Sequence, residues 1–524
     1  MILMVVLTPI VTILFKLLDP PGEHWSHLIH NLLPAYFSNS LILLLGVGLM
    51  TFIIGVGMAW LVSIYEFPGR KYFEWLLILP LAFPSYMMGY SYVGLLEYTG
   101  PLQAFLRNNL DIHFKGAIVD IMNMPGAIFI LSISLYPYVY VICRASFSRQ
   151  SSVFQEAALL LGSNRRRVFT KVALPMARPA IAAGIALAAM EVLNDYGTVK
   201  YFGIDTFTSG IFKAWFSLGD VNTAIYLSAI LTLMVLFLVW LENFQRGNRS
   251  WGARNESNRP SVRIAPRRKT TAWLYSLTAF TVLMICFLLP LMQLIYWVNL
   301  TWKNVVDAEF FLLIGRSFSL AIGSALLIAL LSIFLLYAVR LSPLKWTKYI
   351  TKTASIGYAI PGAVIAVGVM IPMMGLDRWL IQLTAGQVGM LISGSLTIVV
   401  IAYIVRFMAV GYNAIDAGFQ KTGASVNEVA RSLGASPLRT LVKIDLPLIK
   451  TSIASGILLA FVDIMKELPL TLILRPFNFH TLATKAFDMA TNEMIAESAN
   501  ACLIVVLTGI IPIIVFNSMI RKRT

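Results

Sequence analysis

Long apolar runs alternate with short polar segments along the whole chain. Twelve of these runs approach or exceed the roughly 20 residues that a helix needs to cross the hydrocarbon core of a bilayer. The predicted spans lie near residues 2–18, 39–64, 73–96, 122–143, 177–196, 221–242, 272–298, 313–339, 353–375, 388–410, 451–473 and 497–519. The pattern predicts an all-α integral membrane protein with about twelve transmembrane helices.

The composition agrees with a chain that is surrounded by lipid. The 524 residues are 58% hydrophobic and only 13% charged, which is about half the charged fraction of a soluble domain. A soluble globule could not bury so much apolar surface. The three cysteines, Cys143, Cys286 and Cys502, are far apart and lie in or beside apolar stretches, so they indicate neither a disulfide framework nor a metal site.

Basic residues follow every second apolar run. Clusters such as Arg165–Arg167 and Arg521–Arg523 come after even-numbered spans, whereas the opposite loops also carry acids such as Asp111 and Asp307. Because cytoplasmic loops are enriched in Lys and Arg, we expect a multi-pass protein with both termini in the cytoplasm. The net charge of +16 is then a signal of topology, and no nucleic-acid partner is expected.

A polar segment in the first part of the chain recurs at a constant offset of 272 residues. Residues 156–175 and 428–447 read EAALLLGSNRRRVFTKVALP and EVARSLGASPLRTLVKIDLP. Between 156–191 and 428–463, 14 of 36 positions are identical without a gap. Since six spans separate the copies, the two halves enter the membrane the same way up, as parallel repeats.

The repeat divides the chain into two six-helix halves and a linker. The first half is 1–243 and contains 156–175; the second is 272–524 and contains 428–447. The linker, 244–271, is polar and basic. We expect it to be flexible and to lie close to anionic lipid headgroups.

Each repeated segment is predicted to form two short helices joined by a turn. Gly162 and Gly434 suit the turn, and Pro175 and Pro447 stand where the next span begins, a position that tolerates proline. A helix–turn–helix fixed to a span can transmit a push from a partner protein. A basic loop that only sets topology is the alternative, but it would need no matched Glu, Gly and Pro. We call 156–175 and 428–447 the first and second coupling segments.

The coupling segments resemble the EAA loop of binding-protein-dependent ABC importer permeases. The second segment departs mildly from the pattern, with Val429 at the middle position. The matching residues are Glu156, Ala157, Ala158, Gly162, Leu174 and Pro175 in the first segment and Glu428, Ala430, Gly434, Leu446 and Pro447 in the second. In that family the loop docks into a cleft of the ATPase subunit. The resemblance implies a fused permease of the bacterial inner membrane.

The resemblance also implies partners: two copies of a cytoplasmic ABC ATPase, one for each coupling segment, and a periplasmic binding protein. The 524 residues contain no G-x-x-x-x-G-K-[ST] loop that would cradle a nucleotide phosphate. We therefore expect a transport subunit rather than an enzyme. It should bind no cofactor itself and leave ATP and Mg to the ATPase.

Two further stretches, 194–220 and 466–490, resemble the ferric-iron branch of fused permeases. They imply that iron(III) is delivered by a periplasmic ferric-iron-binding protein and imported by alternating access. Related branches move thiamine, sulfate or polyamines on the same scaffold, and these substrates remain alternatives.

Four carboxylates occupy equivalent positions in spans five and eleven. Glu191 and Asp195 are spaced i, i+4, and the offset of 272 relates them to Asp463 and Glu467. Intramembrane carboxylates are costly and usually face a pathway or a partner charge, and oxygen ligands suit a hard cation. We expect the four to line the translocation pathway, with transient iron contact at most and no stable metal site.

Two other features bear on these carboxylates. Lys466 or Arg475 could pair with one of them, which is the structural alternative. The chain changes character just beyond them, at Tyr196-Gly197 and Leu468-Pro469, where we expect the spans to break and form a gate.

Other sites and other protein classes are weaker interpretations. His24, His27 and His30 could bind a metal, but without a fourth ligand an interfacial amphipathic helix is favoured. A secondary transporter would share the parallel repeats and the intramembrane carboxylates, yet it needs no paired coupling segments. A membrane enzyme would need a catalytic constellation, and the sequence shows no Ser–His–Asp, HExxH or CxxC set.

Overall fold

A computed structural model describes residues 2–112, 120–149, 164–246, 264–266, 268–341, 357–385, 389–422, 429–430 and 432–521. Within these residues the secondary structure is helical, apart from one isolated parallel bridge between Tyr65 and Ile264. The predicted all-α fold is confirmed.

The α-helices and their bounds are α1 Ile2–Lys16, α2 Trp25–Asn31, α3 Leu33–Ile64, α4 Arg70–Leu76, α5 Ser85–Leu96, α6 Pro101–Leu110, α7 Met124–Arg149, α8 Arg165–Val168, α9 Leu174–Met176, α10 Arg178–Asn194, α11 Gly197–Tyr201, α12 Phe207–Phe212, α13 Val221–Arg246, α14 Lys269–Leu283, α15 Leu289–Val305, α16 Ala308–Leu341, α17 Gly362–Leu383, α18 Leu396–Thr422, α19 Pro437–Thr440, α20 Leu446–Lys466, α21 Pro469–Leu474, α22 Leu482–Thr491 and α23 Ile495–Arg521. A 3₁₀ turn lies at Leu79–Ala82, and π-helical turns lie at Phe169–Ala173, Lys213–Ser217, Met284–Leu288 and Leu441–Asp445.

The membrane spans follow the predicted order. Nine helices of the described chain are long and apolar enough to cross a membrane, and two bent helix pairs pass the same test together. A shorter apolar helix lies at Val6–Lys16. In chain order these features match the twelve predicted spans.

Two spans differ from the prediction, one in being bent and one in where it begins, and a proline lies at each point of difference. The third, 73–96, is a pair of helices that meet at 94°, with Pro84 in an extended conformation between them. The ninth, 353–375, begins later, at Gly362, because Pro361 is also extended (φ −56°, ψ 143°). Proline lacks an N–H and clashes with the preceding turn, so neither residue lies inside a helix.

The chain forms two compact units that do not coincide with its two sequence halves. The N unit contains residues 33–206, 233–299 and 513–524, and the C unit contains 1–32, 207–232 and 300–512. The first span of the first half therefore belongs to the C unit, and the first span of the second half belongs to the N unit. The boundary at 244–271 remains a prediction about the sequence repeat.

The N unit is built around α3, α7 and α10, which pack against one another, while α5 packs against α7 and α11. The span that starts the second half belongs to this unit. Its residue Trp297 lies against Gly94 of α5 so closely that a side chain at Gly94 would overlap the indole ring.

The C unit is built around α16, α18 and α20, and α21 packs against α17 and α18. The first helix of the chain, α1, packs against α17 in this unit. A Cβ at Gly368 would lie 2.6 Å from Cα of Pro9. The absence of a side chain at Gly368 is what allows this close approach.

Candidate functional site

The structure describes six of the eleven predicted coupling residues. Leu174 and Pro175 open α9, and Leu446 and Pro447 open α20. Ala430 is helical, and Gly434 lies in the turn before α19. The other five, Glu156, Ala157, Ala158, Gly162 and Glu428, lie outside the described residues.

The second coupling segment contains the turn that its sequence predicts. Gly434 adopts a left-handed φ of 83°, a conformation that costs an ordinary residue about 1–2 kcal/mol. Ser436 caps α19 by accepting a hydrogen bond from the Arg439 N–H at 3.4 Å. Pro447 then lies in the first turn of α20.

A π-helical turn precedes the Leu-Pro pair in both segments. The turns Phe169–Ala173 and Leu441–Asp445 are equivalent at the 272-residue offset. In each, the leucine N–H donates to the carbonyl five residues earlier, Leu174 to Phe169 and Leu446 to Leu441. The following proline has no N–H and its ring clashes with the carbonyl four residues before it, so the wider turn accommodates it.

Side chains from α16 and α18 hold the second coupling segment. The Tyr337 hydroxyl donates to the Pro437 carbonyl, and Arg340 pairs with the buried carboxylate of Asp445 at 3.2 Å. The Arg340 guanidinium also stacks over the Phe419 ring, 4.9 Å from its centroid. Sequence reasoning missed these residues because they come from spans far along the chain.

The second coupling segment also exposes apolar side chains. Leu433 is 83% exposed and Leu438 is 70% exposed, and Val429 and Val442 are more than half exposed. All four lie within the polar second coupling segment, 428–447, which the basic residues of this region predict to be cytoplasmic. An exposed apolar patch outside the bilayer is typical of a protein–protein contact.

Asp195 stands at a break between α10 and α11 and joins three elements. Its Oδ1 accepts hydrogen bonds from the backbone N–H groups of Thr198 and Val199, at 2.9 and 3.1 Å. Its Oδ2 accepts from the hydroxyls of Ser85 and Thr198, at 2.5 and 2.9 Å. Asp195 is the C-cap residue of α10 (φ −65°, ψ 126°), so the chain leaves the helix directly after this carboxylate.

Glu467 stands at the equivalent break between α20 and α21. It is likewise the C-cap residue of its helix (φ −68°, ψ 125°), and the chain changes direction directly after it. Its Oε2 lies 3.1 Å from Nε of Arg406, and its Oε1 accepts the Leu470 N–H at 3.1 Å. Of the two predicted cationic partners, Lys466 pairs with the carboxylate Asp463 at 3.8 Å, as the structural alternative expects, whereas Arg475 pairs with Asp488 at 3.0 Å.

Within the described residues, no group of three or more His, Cys, Asp and Glu side chains is arranged to hold a metal ion. The predicted breaks themselves are confirmed, since α11 begins at Gly197 and α21 at Pro469. Their role as a gate stays a prediction.

A family model described as "Binding-protein-dependent transport system inner membrane component" matches residues 51–250. The match includes the first coupling segment, the π turn and the break at Asp195. Residues 51–250 of the chain thus match this family of inner-membrane transport components. The resemblance predicted from the coupling segments is thus confirmed.

Relatives extend the similarity of this permease beyond the matched region. The Fe(3+)-transport system permease protein FbpB 2 of Haemophilus influenzae is 25% identical over 493 residues, which cover 93% of this chain and 90% of that protein. The sulfate transport system permease protein CysW of Escherichia coli K12 is 28% identical over 40% of this chain and 69% of its own length. The molybdenum transport system permease protein ModB of the same strain is 27% identical over 37% and 86%.

Of the three histidines considered as a metal site, His24 bonds to a carboxylate of the permease. His24 Nδ1 lies 3.2 Å from a carboxylate oxygen of Asp220, and the His24 backbone N–H donates to the same oxygen. Hydrogen bonds from Thr223 and His24 outweigh the effect of burial and lower the pKa of Asp220. His27 and His30 lie on α2, where the favoured interpretation of an interfacial helix stays a prediction.

Proposed function

We propose that this chain is the permease subunit of an ATP-driven importer that moves ferric iron by alternating access. The main support is the similarity to an iron(III) permease along nearly the whole chain. The sulfate and molybdenum permeases pair with 40% and 37% of the chain. The proposal includes a periplasmic ferric-iron-binding protein that delivers the cargo, and both termini on the cytoplasmic side.

We propose that two copies of a cytoplasmic ABC ATPase dock on the two coupling segments. The exposed side chains of Leu433 and Leu438 supply the apolar contact that such docking needs. Arg340 and Tyr337 fasten the same segment to α16, so a push on the segment would reach the spans. ATP and Mg would be bound by the ATPase alone.

The carboxylates of spans five and eleven are proposed to lie along the pathway, with transient iron contact only. The hydrogen bonds of Asp195 and the ion pair of Glu467 commit these two groups to protein partners. Asp463 is likewise paired, with Lys466 at 3.8 Å, so any contact with iron would compete with these protein partners.

Uptake of radiolabelled iron(III) citrate by cells tests the proposal. The variant Leu433→Glu/Leu438→Glu should lose both uptake and the co-purifying ATPase, because two charges replace the apolar contact. The matched control is Met494→Glu, which adds a charge at an exposed apolar position outside the coupling segments and should retain both. Glu156→Arg/Glu428→Arg should behave like the coupling variant.

Two results would contradict parts of this proposal separately. If the unaltered protein imports sulfate or molybdate but no iron, the substrate is wrong while the importer stands. If Leu433→Glu/Leu438→Glu inserts normally and still binds the ATPase, the docking surface is wrong.

A further inference from the structure

The two helix breaks of the permease carry an acid at the same place but hold it with different groups. The offset of 272 relates Asp195 to Glu467 and Ser134 to Arg406. Hydroxyl and backbone N–H groups bind Asp195. A guanidinium binds Glu467. This difference between equivalent positions needs a physical explanation.

The C-unit pair is buried and closely surrounded. The side chains of Arg406 and Glu467 are only 7% and 5% exposed. A Cβ at Gly362 would lie 2.5 Å from Nη1 of Arg406 and 2.8 Å from Oε1 of Glu467. Three elements therefore meet at the pair: the start of α17, the middle of α18, and the break between α20 and α21.

The N unit shows what the same junction is like without the arginine. Ser85 follows the extended residue Pro84, as Gly362 follows Pro361. Its hydroxyl donates to Asp195, whereas the acid beside Gly362, Glu467, has the guanidinium of Arg406 as its partner. Ser134 points elsewhere and donates to the Phe83 carbonyl at 3.1 Å.

We propose that Arg406 and Glu467 are positioning residues that lock the break of span eleven to spans nine and ten, and that Glu467 does not contact the transported ion. A buried carboxylate already paired with a guanidinium and a backbone N–H has few lone pairs left for a metal. Its function is to keep the chain broken at residue 467 and to fix the direction of α21. The transport readout of this proposal rests on the proposed function; the stability readout does not.

A structural ion pair and a pathway ligand respond differently to single and double substitution. Removing one partner leaves an uncompensated charge in an apolar interior and is strongly destabilising, whereas replacing both partners is tolerated far better. A pathway ligand behaves differently: losing it impairs transport whether or not Arg406 is present. A double-mutant cycle separates the two roles.

The test uses Glu467→Gln, Arg406→Gln and the double variant in the full-length chain. Each single substitution should lower the midpoint of thermal unfolding of the purified protein, and the double variant should regain most of the loss. In cells, the maximal rate of iron(III) citrate uptake should fall at least about tenfold in each single variant and recover in the double. The iron concentration at half-maximal rate should not change. Arg406→Lys, which keeps the charge, should retain more uptake than Arg406→Gln.

The matched control in the N unit is Asp195→Asn with or without Ser134→Ala. The Ser134 hydroxyl donates to the Phe83 carbonyl, so the second substitution should give no recovery. The proposal is overturned if the double Arg406/Glu467 variant unfolds no later than the worse single variant. It is also overturned if Glu467→Gln unfolds normally but raises the half-maximal iron concentration. If the unaltered protein takes up no iron, the proposed substrate fails, and the unfolding cycle alone decides the role of the pair.

Discussion

Asp377, near the end of α17, accepts hydrogen bonds from the backbone N–H groups of Ile392 and Ser393 at 3.0 and 2.7 Å. The Ser393 hydroxyl donates to the same carboxylate at 2.5 Å. Asp195 accepts the N–H groups of Thr198 and Val199 at the start of α11. Asp220 accepts the N–H of Thr223 at the start of α13. At the scale of single residues, several acids of this permease serve to cap and join helices, because a carboxylate oxygen accepts the N–H groups that a helix start leaves unpaired.

Asp220 should make the stability of the permease depend on pH. The pKa of this carboxyl is held below its usual value of 3.8 by hydrogen bonds from Thr223 and His24. The ionised form therefore stabilises the folded state above pH 3.8, and this stabilisation is lost as the pH falls through the lowered pKa. The unfolding midpoint of the unaltered protein should exceed that of Asp220→Asn near neutral pH, and the gap should narrow as the pH falls below 3.8.

Glu23→Gln is the matched control for this titration, since Glu23 is an exposed acid next to His24, in the loop between α1 and α2. Its midpoint should follow that of the unaltered protein over the whole pH range. A gap between the unaltered protein and Asp220→Asn that stays constant with pH would show that the hydrogen bonds act without the charge.

At the scale of elements, the two coupling segments share a π turn but not a bend. The first joins its span at an angle of 70°, between Arg166–Met176 and Arg178–Asn194, whereas 437–466 is one continuous span. A second proline, Pro179, follows Pro175 in the first copy, and its equivalent in the second copy is Thr451. A proline in the first turn of α10 removes a donor that would continue the helix through Ala177.

Replacing Pro179 with Thr should straighten this junction. Spin labels at positions 167 and 187 should move apart by about 5 Å, because two ten-residue arms of about 15 Å each would change from a 70° bend to a straight line. Double electron–electron resonance measures the distance between the two spin labels. Thr451→Pro is the reciprocal variant and should shorten the distance between labels at 439 and 459. An unchanged distance in both variants would show that tertiary packing, not proline, sets the bend.

The element scale also shows where sequence reasoning succeeds and where it stops. Gly434 and Pro447 could be predicted because turns and helix starts depend on local backbone chemistry. The π turn follows from Pro175 and Pro447 only once the preceding residues are known to be helical. The partner of Glu467 could not be predicted, because Arg406 lies in another span and only the packing of α18 against α20 brings it there.

At the scale of the whole molecule, the exchange of first spans is the feature that the sequence did not reveal. The apolar pattern of residues 2–18 indicates immersion in lipid, but it does not indicate which helix α1 contacts. That contact depends on a close fit between Pro9 and Gly368. Because glycine and proline are frequent in transmembrane helices in general, their presence does not predict that α1 packs against α17.

The fit between α1 and α17 can be tested with two glycines of the same helix. Gly368→Val should destabilise the permease by about 1–3 kcal/mol, because the new side chain would overlap the backbone of Pro9 and force α1 away. Gly375 has no heavy atom within 4 Å of its would-be Cβ, so Gly375→Val should change stability by less than about 1 kcal/mol. Unfolding midpoints of the two purified variants measure the difference. Equal midpoints would mean that α1 contributes little to the C unit, and that the exchanged span is held by its connections rather than by its packing.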